Sequence, residues 1–172
     1  MNYSIILIII FSYLIGSISG GVIIGIIRNT DIRKKGSKAA GATNAFRTMG
    51  TMFALMVLII DVYKGYFVVE YIPYFLNNEN LNMNALAGIT CIFGHVYPLY
   101  FKFKGGKGVG TALGALLAFP KMLPLIIIAF LFWILIIMIT GYVGLSSILA
   151  TLSVPIPVTS VKSTPPTSVV LK

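Results

Sequence analysis

The stretch Gly94–Gly110, GHVYPLYFKFKGGKGVG, joins the end of one hydrophobic segment to the start of the next. It holds the only histidine of the chain, three lysines and a cluster of glycines. Charge at the edge of a hydrophobic segment is costly unless water, a partner or an anion meets it. Amides at a helix start, with lysines beside them, suit phosphate, and glycines let the backbone approach a ligand closely. The stretch therefore predicts a membrane protein that handles a phosphorylated substrate at the bilayer surface.

The composition around this stretch is that of an integral membrane protein. Of 172 residues, 58% are hydrophobic and 10% are charged, and the mean hydropathy is +0.96. Soluble domains carry roughly 25% charged residues. The apolar runs are long and lack an alternation of period two, which favours helices over a barrel. At about 20 residues per span, we predict an all-α polytopic helical bundle with about five to six spans.

The net charge of +9 is concentrated in two loops. Nine of the 13 Lys and Arg residues lie in loop one, residues 28–50, and loop two, residues 102–108. This distribution argues against nucleic acid as a partner, and the positive-inside rule predicts that both loops face the cytoplasm. Basic loops at the membrane edge can also serve only to set the topology of the chain, without binding a ligand.

The apolar segments predict where the chain crosses the membrane. Spans are predicted at about residues 3–27, 51–74, 85–101 and 121–140, with a short segment at 109–119 and a weaker one at 141–158. The Asn-rich stretch 76–84 is predicted to be an external turn. Loop one, loop two and the turn near Thr140–Ser147 then converge on one membrane face. We expect a membrane-embedded core at 1–150 and an atypical Ser/Thr/Pro-rich tail at 151–172.

Small and charged residues inside the spans carry further expectations. The pairs Gly16/Gly20 and Gly21/Gly25 predict close helix packing within the fold, or a dimer face. Two charged residues of the second span, Asp61 and Lys64, are three apart, share a helix face and are expected to form a structural ion pair facing the bundle. The single cysteine, Cys91, is expected to be a small buried residue.

Loop one contains GSKAAGATNAFRTMG at Gly36–Gly50, with neutral hydrogen-bonding groups and a cation that can grip phosphate in a bidentate way. A helix cap followed by a topology-setting charge explains the same residues. Loop two contains Lys-Gly-Gly-Lys, which is not a Walker A motif because Gly108 follows Lys107. His95 lies a few residues upstream and can share a proton near neutral pH. One histidine and one cysteine make no convincing metal site.

Taken together, these motifs resemble the bacterial acyl-phosphate:glycerol-3-phosphate acyltransferases of the PlsY type. GSKAAGATNAFR resembles the first motif of that family, and Gly94–Gly110 resembles the second. YLIGSISGG at Tyr13–Gly21, DVYKG at Asp61–Gly65 and TGYVGLSSI at Thr140–Ile148 also fit, so that the resemblance covers about residues 1–150. It implies transfer of a fatty acyl group from acyl phosphate to glycerol 3-phosphate, giving lysophosphatidic acid in phospholipid biosynthesis.

The resemblance also implies roles for individual residues. Ser37 and His95 are expected at the reacting centre, with His95 orienting the substrates or, as a second option, acting as a general base. Thr43, Asn44 and Ser146 would shape the site. The expected phosphate-binding residues are Arg47, Lys104 and Lys107, with the amides of Gly105 and Gly106. No metal or organic cofactor is implied.

The same resemblance implies the setting in which the protein works. The expected location is the bacterial inner or plasma membrane, with a multi-pass chain, a cytoplasmic active site and membrane lipid around it. The partners are acyl phosphate and glycerol 3-phosphate, with no nucleic acid, and a monomer is the simplest expectation.

Three departures from the family pattern keep alternatives open. Ala39 replaces an asparagine of the first motif, Gly144 replaces a serine, and the closing basic motif of the family has no counterpart here. A truncated or frame-shifted gene product, and hence a non-catalytic remnant, is one alternative. A small transporter of phosphorylated solutes is another, although the spans offer few polar residues for a path across the bilayer.

Overall fold

The computed structural model describes residues 3–153, which form helices and turns and contain no strand. The α-helices are α1 Tyr3–Gly16, α2 Gly20–Ile27, α3 Ala42–Met49, α4 Thr51–Phe75, α5 Leu81–Val96, α6 Val109–Leu117, α7 Leu123–Thr140 and α8 Val143–Ser153. Short 3-10 helices lie at Ile32–Lys34, Leu99–Phe101 and Pro120–Met122. The predicted all-α class is confirmed, as the long apolar runs required.

The described residues divide into two compact units, one that ends at Ile128 and one that begins at Ala129, and each is described by itself. The first unit contains α1 to α6 and the first residues of α7. The second contains the rest of α7 and α8. The predicted boundary between a core at 1–150 and a tail at 151–172 stays a prediction, because α8 continues to Ser153 and residues 154–172 lie outside the described part.

Three helical stretches among the described residues are long and apolar enough to cross a membrane: Tyr3–Ile27, Thr51–Phe75 and Pro120–Thr140. They coincide with three of the predicted spans. Helices α5 and α6 have 16 and 9 residues, which is about 24 Å and 14 Å at 1.5 Å per residue, short of a hydrocarbon core of about 30 Å. The membrane class is confirmed, whereas five to six full-length spans are not reached within residues 3–153.

The third predicted span differs from the observed helix for local reasons. Helix α5 begins at Leu81, inside the stretch predicted as a turn, because the side chain of Asn80 caps it by accepting a hydrogen bond from the Met83 amide at 3.1 Å. It ends at Val96, two residues before Pro98, since the residue before a proline is disfavoured in a helix. Loop two therefore begins outside any regular helix.

The first span is interrupted, which its continuous apolar sequence did not predict. Residues 17–19 are not helical and separate α1 from α2. The glycines on either side allow close packing within the chain: a Cβ on Gly16 would collide with the carbonyl of Cys91 on α5, and one on Gly21 would collide with that of Ala40 in loop one. The prediction of close packing inside the fold is confirmed at these positions.

Helix α4 is the centre of the apolar core in the first unit. Val57, Val68 and Val69 of α4 are fully buried and belong to three separate apolar clusters. These clusters also draw on α1, α2, α3, α5 and α6, and Cys91 of α5 is fully buried in one of them, as predicted. Helices α1, α2, α3, α5 and α6 are thereby packed around α4, whose middle carries Asp61 and Lys64.

Candidate active site

Loop one is held in shape by one buried side chain, Asn44 at the start of α3. Its Oδ1 accepts a hydrogen bond from the amide of Ser37 at 2.9 Å. Its Nδ2 donates to three backbone carbonyls, those of Ile32 at 2.7 Å, Ala39 at 2.9 Å and Lys35 at 3.1 Å. Asn44 therefore closes the loop around the segment that carries Ser37; its role in shaping a substrate site stays a prediction.

Loop two folds back on the end of α5. Lys102 and Phe103 both have left-handed backbone conformations and make the turn. The amide of Gly105 then donates to the carbonyl of Val96, and the amide of Gly106 donates to that of His95, each at 3.2 Å. These contacts bring the Lys-Gly-Gly-Lys segment alongside the last turn of α5.

In this arrangement the amides of Gly105 and Gly106 donate to the carbonyls of Val96 and His95, and their binding of phosphate stays a prediction. Their lack of side chains has a different use. A Cβ on Gly105 would collide with the carbonyl of His95, and one on Gly106 would collide with the His95 ring at Nε2. The two glycines let the backbone lie directly against His95.

The two basic loops meet, as the predicted topology required. The amide of Ala40 in loop one donates to the carbonyl of Gly105 in loop two at 3.2 Å. The Arg33 guanidinium donates to the carbonyl of Phe101 at 3.2 Å and also pairs with Asp31 at 3.0 Å. The hydrogen bonds that Arg33 donates to Asp31 lower the pKa of Asp31 below its usual value. Loop one is thus hydrogen-bonded to loop two and the residue before it through both a backbone amide and a side chain.

The interruption between α1 and α2 also contacts the approach to loop two. Tyr13 Oη donates to the carbonyl of Tyr97 at 2.8 Å, and Ser17 Oγ accepts from the amide of Leu99 at 3.2 Å. The segment from Tyr97 to Leu99, which contains Pro98, is therefore anchored on the first span. The Tyr13–Gly21 motif is thus in direct contact with the segment that leads into loop two.

A buried polar cluster lies directly behind loop two. Asp61, Lys64 and His95 are 3%, 5% and 2% exposed. Lys64 Nζ lies 3.1 Å from Asp61 Oδ1 and 2.8 Å from His95 Nδ1, while His95 Nδ1 lies 3.5 Å from Asp61 Oδ1. The ion pair expected from sequence is present. Its contact with the histidine was missed, although a membrane-embedded charge pair and a lone histidine at a span end are groups that need polar partners.

The other candidate side chains of the two loops are not buried in the first unit. Ser37, Thr43, Arg47, Lys104 and Lys107 are all exposed. Within residues 3–153, the side chains of Arg47, Lys104 and Lys107 make no ion pair with an acidic group, so their charge is available to an anion. Ser146 belongs to the second unit, where it is fully buried and donates to the carbonyl of Tyr142 at 2.9 Å. Its site-shaping role stays a prediction.

The described residues contain no group of three or more His, Cys, Asp or Glu side chains arranged to hold a metal ion. Within residues 3–128, the two basic loops are in contact through Ala40 and Gly105; they carry exposed cations and a serine hydroxyl, and a buried histidine lies directly behind loop two. Such a set can bind anionic phosphate groups and stabilise charge that develops on oxygen during group transfer.

Comparison with known proteins agrees with this chemistry. A family model described as glycerol-3-phosphate acyltransferase matches residues 6–171. The glycerol-3-phosphate acyltransferase of Photobacterium profundum is 44% identical over 157 residues, covering 91% of this chain and 75% of that protein. The protein of the same name from Aquifex aeolicus is 38% identical over 149 residues, covering 84% and 74%.

Two solved structures are also similar. Both are crystal structures of PlsY (YgiH), an integral membrane glycerol 3-phosphate acyltransferase, in a glycerol 3-phosphate form and a lysophosphatidic acid form. Their TM-scores are 0.78 and 0.76, each at 36% sequence identity, covering 88% of this chain and 74% of the other.

Proposed function

This chain belongs to the glycerol-3-phosphate acyltransferase family, and from that premise we propose that it transfers a fatty acyl group from acyl phosphate to glycerol 3-phosphate. The product is lysophosphatidic acid. The observation that carries the proposal is the contact between the two basic loops, through Ala40 and Gly105, in front of the buried His95.

The charges and surfaces of the first unit support these substrates. Both substrates carry an anionic phosphate, and exposed Arg47, Lys104 and Lys107 supply cations from both loops. Arg suits bidentate phosphate recognition, whereas Lys acts as a compact point charge. The acyl tail needs apolar surface, which the membrane-spanning helices of the same unit offer. A phosphate donor at the loops with its tail along the helices satisfies both requirements.

The transfer forms one carbon–oxygen bond, breaks one and moves one proton. The acceptor hydroxyl oxygen of glycerol 3-phosphate attacks the acyl carbonyl carbon, the bond from that carbon to the phosphate oxygen breaks, and phosphate leaves with the electron pair. The hydroxyl proton passes to the phosphate. Ser37 orients the acceptor, His95 orients the donor phosphate, and the cations stabilise the charge on the carbonyl and leaving oxygens. A covalent acyl-serine is disfavoured, because within residues 3–153 no base lies within hydrogen-bonding reach of the Ser37 hydroxyl.

The decisive experiment is acyl transfer by the purified 172-residue chain in lipid, with glycerol 3-phosphate as acceptor and palmitoyl phosphate as donor. Lysophosphatidic acid should form with palmitoyl phosphate and not with palmitoyl-CoA at equal concentration. Lys107→Ala should raise the KM about ten- to a hundredfold, the effect of losing one charge-assisted contact. Lys121→Ala, an exposed lysine outside both loops, is the matched control and should leave transfer unchanged.

Two outcomes of that assay would contradict the proposal. Efficient use of palmitoyl-CoA would overturn the donor assignment. Absence of product from folded protein would favour a non-catalytic member of the family. Equilibrium binding of glycerol 3-phosphate to the wild type and to Lys107→Ala would then test whether the loops bind a phosphorylated ligand without turning it over.

The finer location follows the same reasoning. We propose that the chain lies in the bacterial plasma membrane with both loops facing the cytoplasm, as their charge predicts. Thr43→Cys offers a test because Thr43 is exposed and the native Cys91 is fully buried. A membrane-impermeant thiol reagent should label this variant in inverted vesicles and not in intact cells; the reverse pattern would contradict the orientation.

A further inference from the structure

The ion pair of α4 touches the one histidine of the chain, and the protons in this cluster can be counted. Lys64 Nζ is within hydrogen-bonding distance of four groups: the carbonyls of Gly16 and Ile18, Asp61 Oδ1 and His95 Nδ1. An ammonium group has three protons to donate and no lone pair to accept with. Each of the four groups must therefore accept a hydrogen bond from Lys64, and two of the four share one proton.

This count determines the state of the His95 ring. At 2.8 Å from the Lys64 ammonium, Nδ1 must present its lone pair, because an N–H there would set two donors against each other. The competing contact from Nδ1–H to Asp61 Oδ1 is 3.5 Å long, which is beyond ordinary N–H···O distances. In a neutral ring that accepts at Nδ1, the proton is on Nε2.

Nε2 faces loop two. A Cβ on Gly106 would overlap Nε2, so this nitrogen lies against the backbone between Lys104 and Lys107. A proton on Nε2 is consequently directed at the segment that carries the phosphate-binding lysines. The opposite tautomer would direct a lone pair, which repels phosphate oxygens, at the same segment.

We propose that Lys64 and Asp61 are positioning residues that fix His95 as the Nε2–H tautomer, so that His95 donates a hydrogen bond to the substrate and does not act as a general base. This inference rests on the proposed function. It chooses between the two roles that the sequence left open for His95. Asp61 pairs with Lys64 at 3.1 Å, and Lys64 in turn occupies Nδ1.

The same cluster ties this tautomer to the interruption of the first span. Where α1 stops, the carbonyls of Gly16 and Ile18 have no helical partner and accept from Lys64, and the amide of Gly20 donates to Asp61 Oδ1 at 3.4 Å. Unsatisfied backbone groups are costly within a membrane. A purely structural pair would need only these backbone contacts, whereas the 2.8 Å contact with Nδ1 is specific to the histidine.

The single histidine makes the tautomer directly measurable. The full chain, labelled with ¹⁵N-histidine and purified on a tag without histidine, gives one pair of ring-nitrogen signals in lipid. We expect a pyridine-type signal for Nδ1 and a pyrrole-type signal for Nε2, correlated with the ring carbon protons. Pyrrole-type Nδ1 in the wild type would overturn the inference, whatever the activity of the protein.

Variants separate positioning from structure. Lys64→Met keeps the length of the side chain and removes the donor. It should shift the ring towards the Nδ1–H tautomer and lower kcat about ten- to a hundredfold, with little change in KM. The magnitude is taken from metal sites, where losing the group that orients a histidine has an effect of this size. Lys121→Met, at an exposed lysine, is the control and should change neither. An unaltered tautomer in folded Lys64→Met would contradict the role of Lys64.

A second pair of variants leaves Lys64 unchanged, so it tests the role of His95 even when Lys64→Met does not fold. His95→Gln can present an amide N–H near the position of Nε2, whereas His95→Asn cannot reach it. A donor role predicts that His95→Gln retains about ten- to a hundredfold more activity than His95→Asn; equal loss in both would indicate a base and overturn the inference. If the wild type has the expected tautomer but transfers no acyl group, the proposed function fails while the assignment of Lys64 and Asp61 to the tautomer stands.

Discussion

Replacement of Asn44 by alanine should damage both the fold of loop one and acyl transfer. The wild-type side chain is 1% exposed and makes four contacts, three donated by Nδ2 to carbonyls and one accepted by Oδ1 from the Ser37 amide. Nδ2 has two protons, so these contacts amount to about three effective hydrogen bonds. At about 0.5–1.5 kcal/mol each, and with buried carbonyls left without a donor, the loss is about 2–5 kcal/mol.

That loss is large against a total stability of about 5–15 kcal/mol. Thermal unfolding of the purified protein in detergent should show a Tm lower by on the order of 10 °C, since about 1 kcal/mol corresponds to about 2–4 °C in a chain of this size. The kcat for palmitoyl phosphate and glycerol 3-phosphate should fall as well, because the backbone of Ser37 loses its anchor.

Two further variants make the result interpretable. Asn44→Asp has nearly the same shape, but it sets an oxygen against three carbonyl oxygens and should be at least as destabilising as the alanine variant. Thr43→Ala changes the neighbouring, exposed residue of the same helix and should melt within about 1–2 °C of the wild type. If Asn44→Ala melted with Thr43→Ala and kept the wild-type kcat, loop one would not depend on this side chain.

Other predictions follow from contacts in the two loops. Gly106→Ala should lower kcat about a hundredfold or more, because its Cβ would displace the His95 ring. Gly41→Ala is the control and should be nearly neutral, since a Cβ there meets nothing within 4 Å and the φ of −108° suits alanine. A wild-type kcat in Gly106→Ala would contradict the close approach of loop two to the ring. The pKa of Asp31 is lowered in the folded protein by its hydrogen bonds with Arg33, so its contribution is present above the usual pKa of an aspartate and is lost as pH falls through the lowered value. The Tm difference between wild type and Asp31→Asn should accordingly be largest near neutral pH and vanish in acid, and a difference that grows in acid would show the opposite sign of coupling.

The sequence predicted the long helices well because a bilayer makes length and continuous hydropathy decisive. The bounds of α4 differ from the predicted 51–74 by one residue at the C-terminal end, and Gly108 precedes α6 where loop two was predicted to end. The interruption of the first span was not predictable in this way. Residues 13–21 are apolar or small throughout, and the helix can stop within the membrane only because Lys64, 46 residues or more further along the chain, donates to the freed carbonyls.

The candidate site shows a similar limit. Motif spacing identified His95, Asn44 and the two basic loops, since each stands out within its own segment. It could not reveal that the amides of Gly105 and Gly106 are already engaged, because a glycine pattern reports permitted conformations and close approach, not the partner that a given amide finds. Nor could it pair His95 with Asp61 and Lys64, which only the packing of α5 against α4 brings into contact.

The buried cluster also explains how a charged pair can persist in the middle of this helix bundle. Removing Asp61 and Lys64 from water is expensive, and burying such a pair is often no more stabilising than packing apolar side chains. A pair that merely held helices together would therefore be replaceable by apolar residues. Here the charges satisfy the carbonyls and the amide freed where α1 ends, and they hold one nitrogen of His95. Apolar replacements could make neither set of hydrogen bonds. The cost of burying the two charges is therefore offset by the hydrogen bonds that they make to the interrupted helix and to His95.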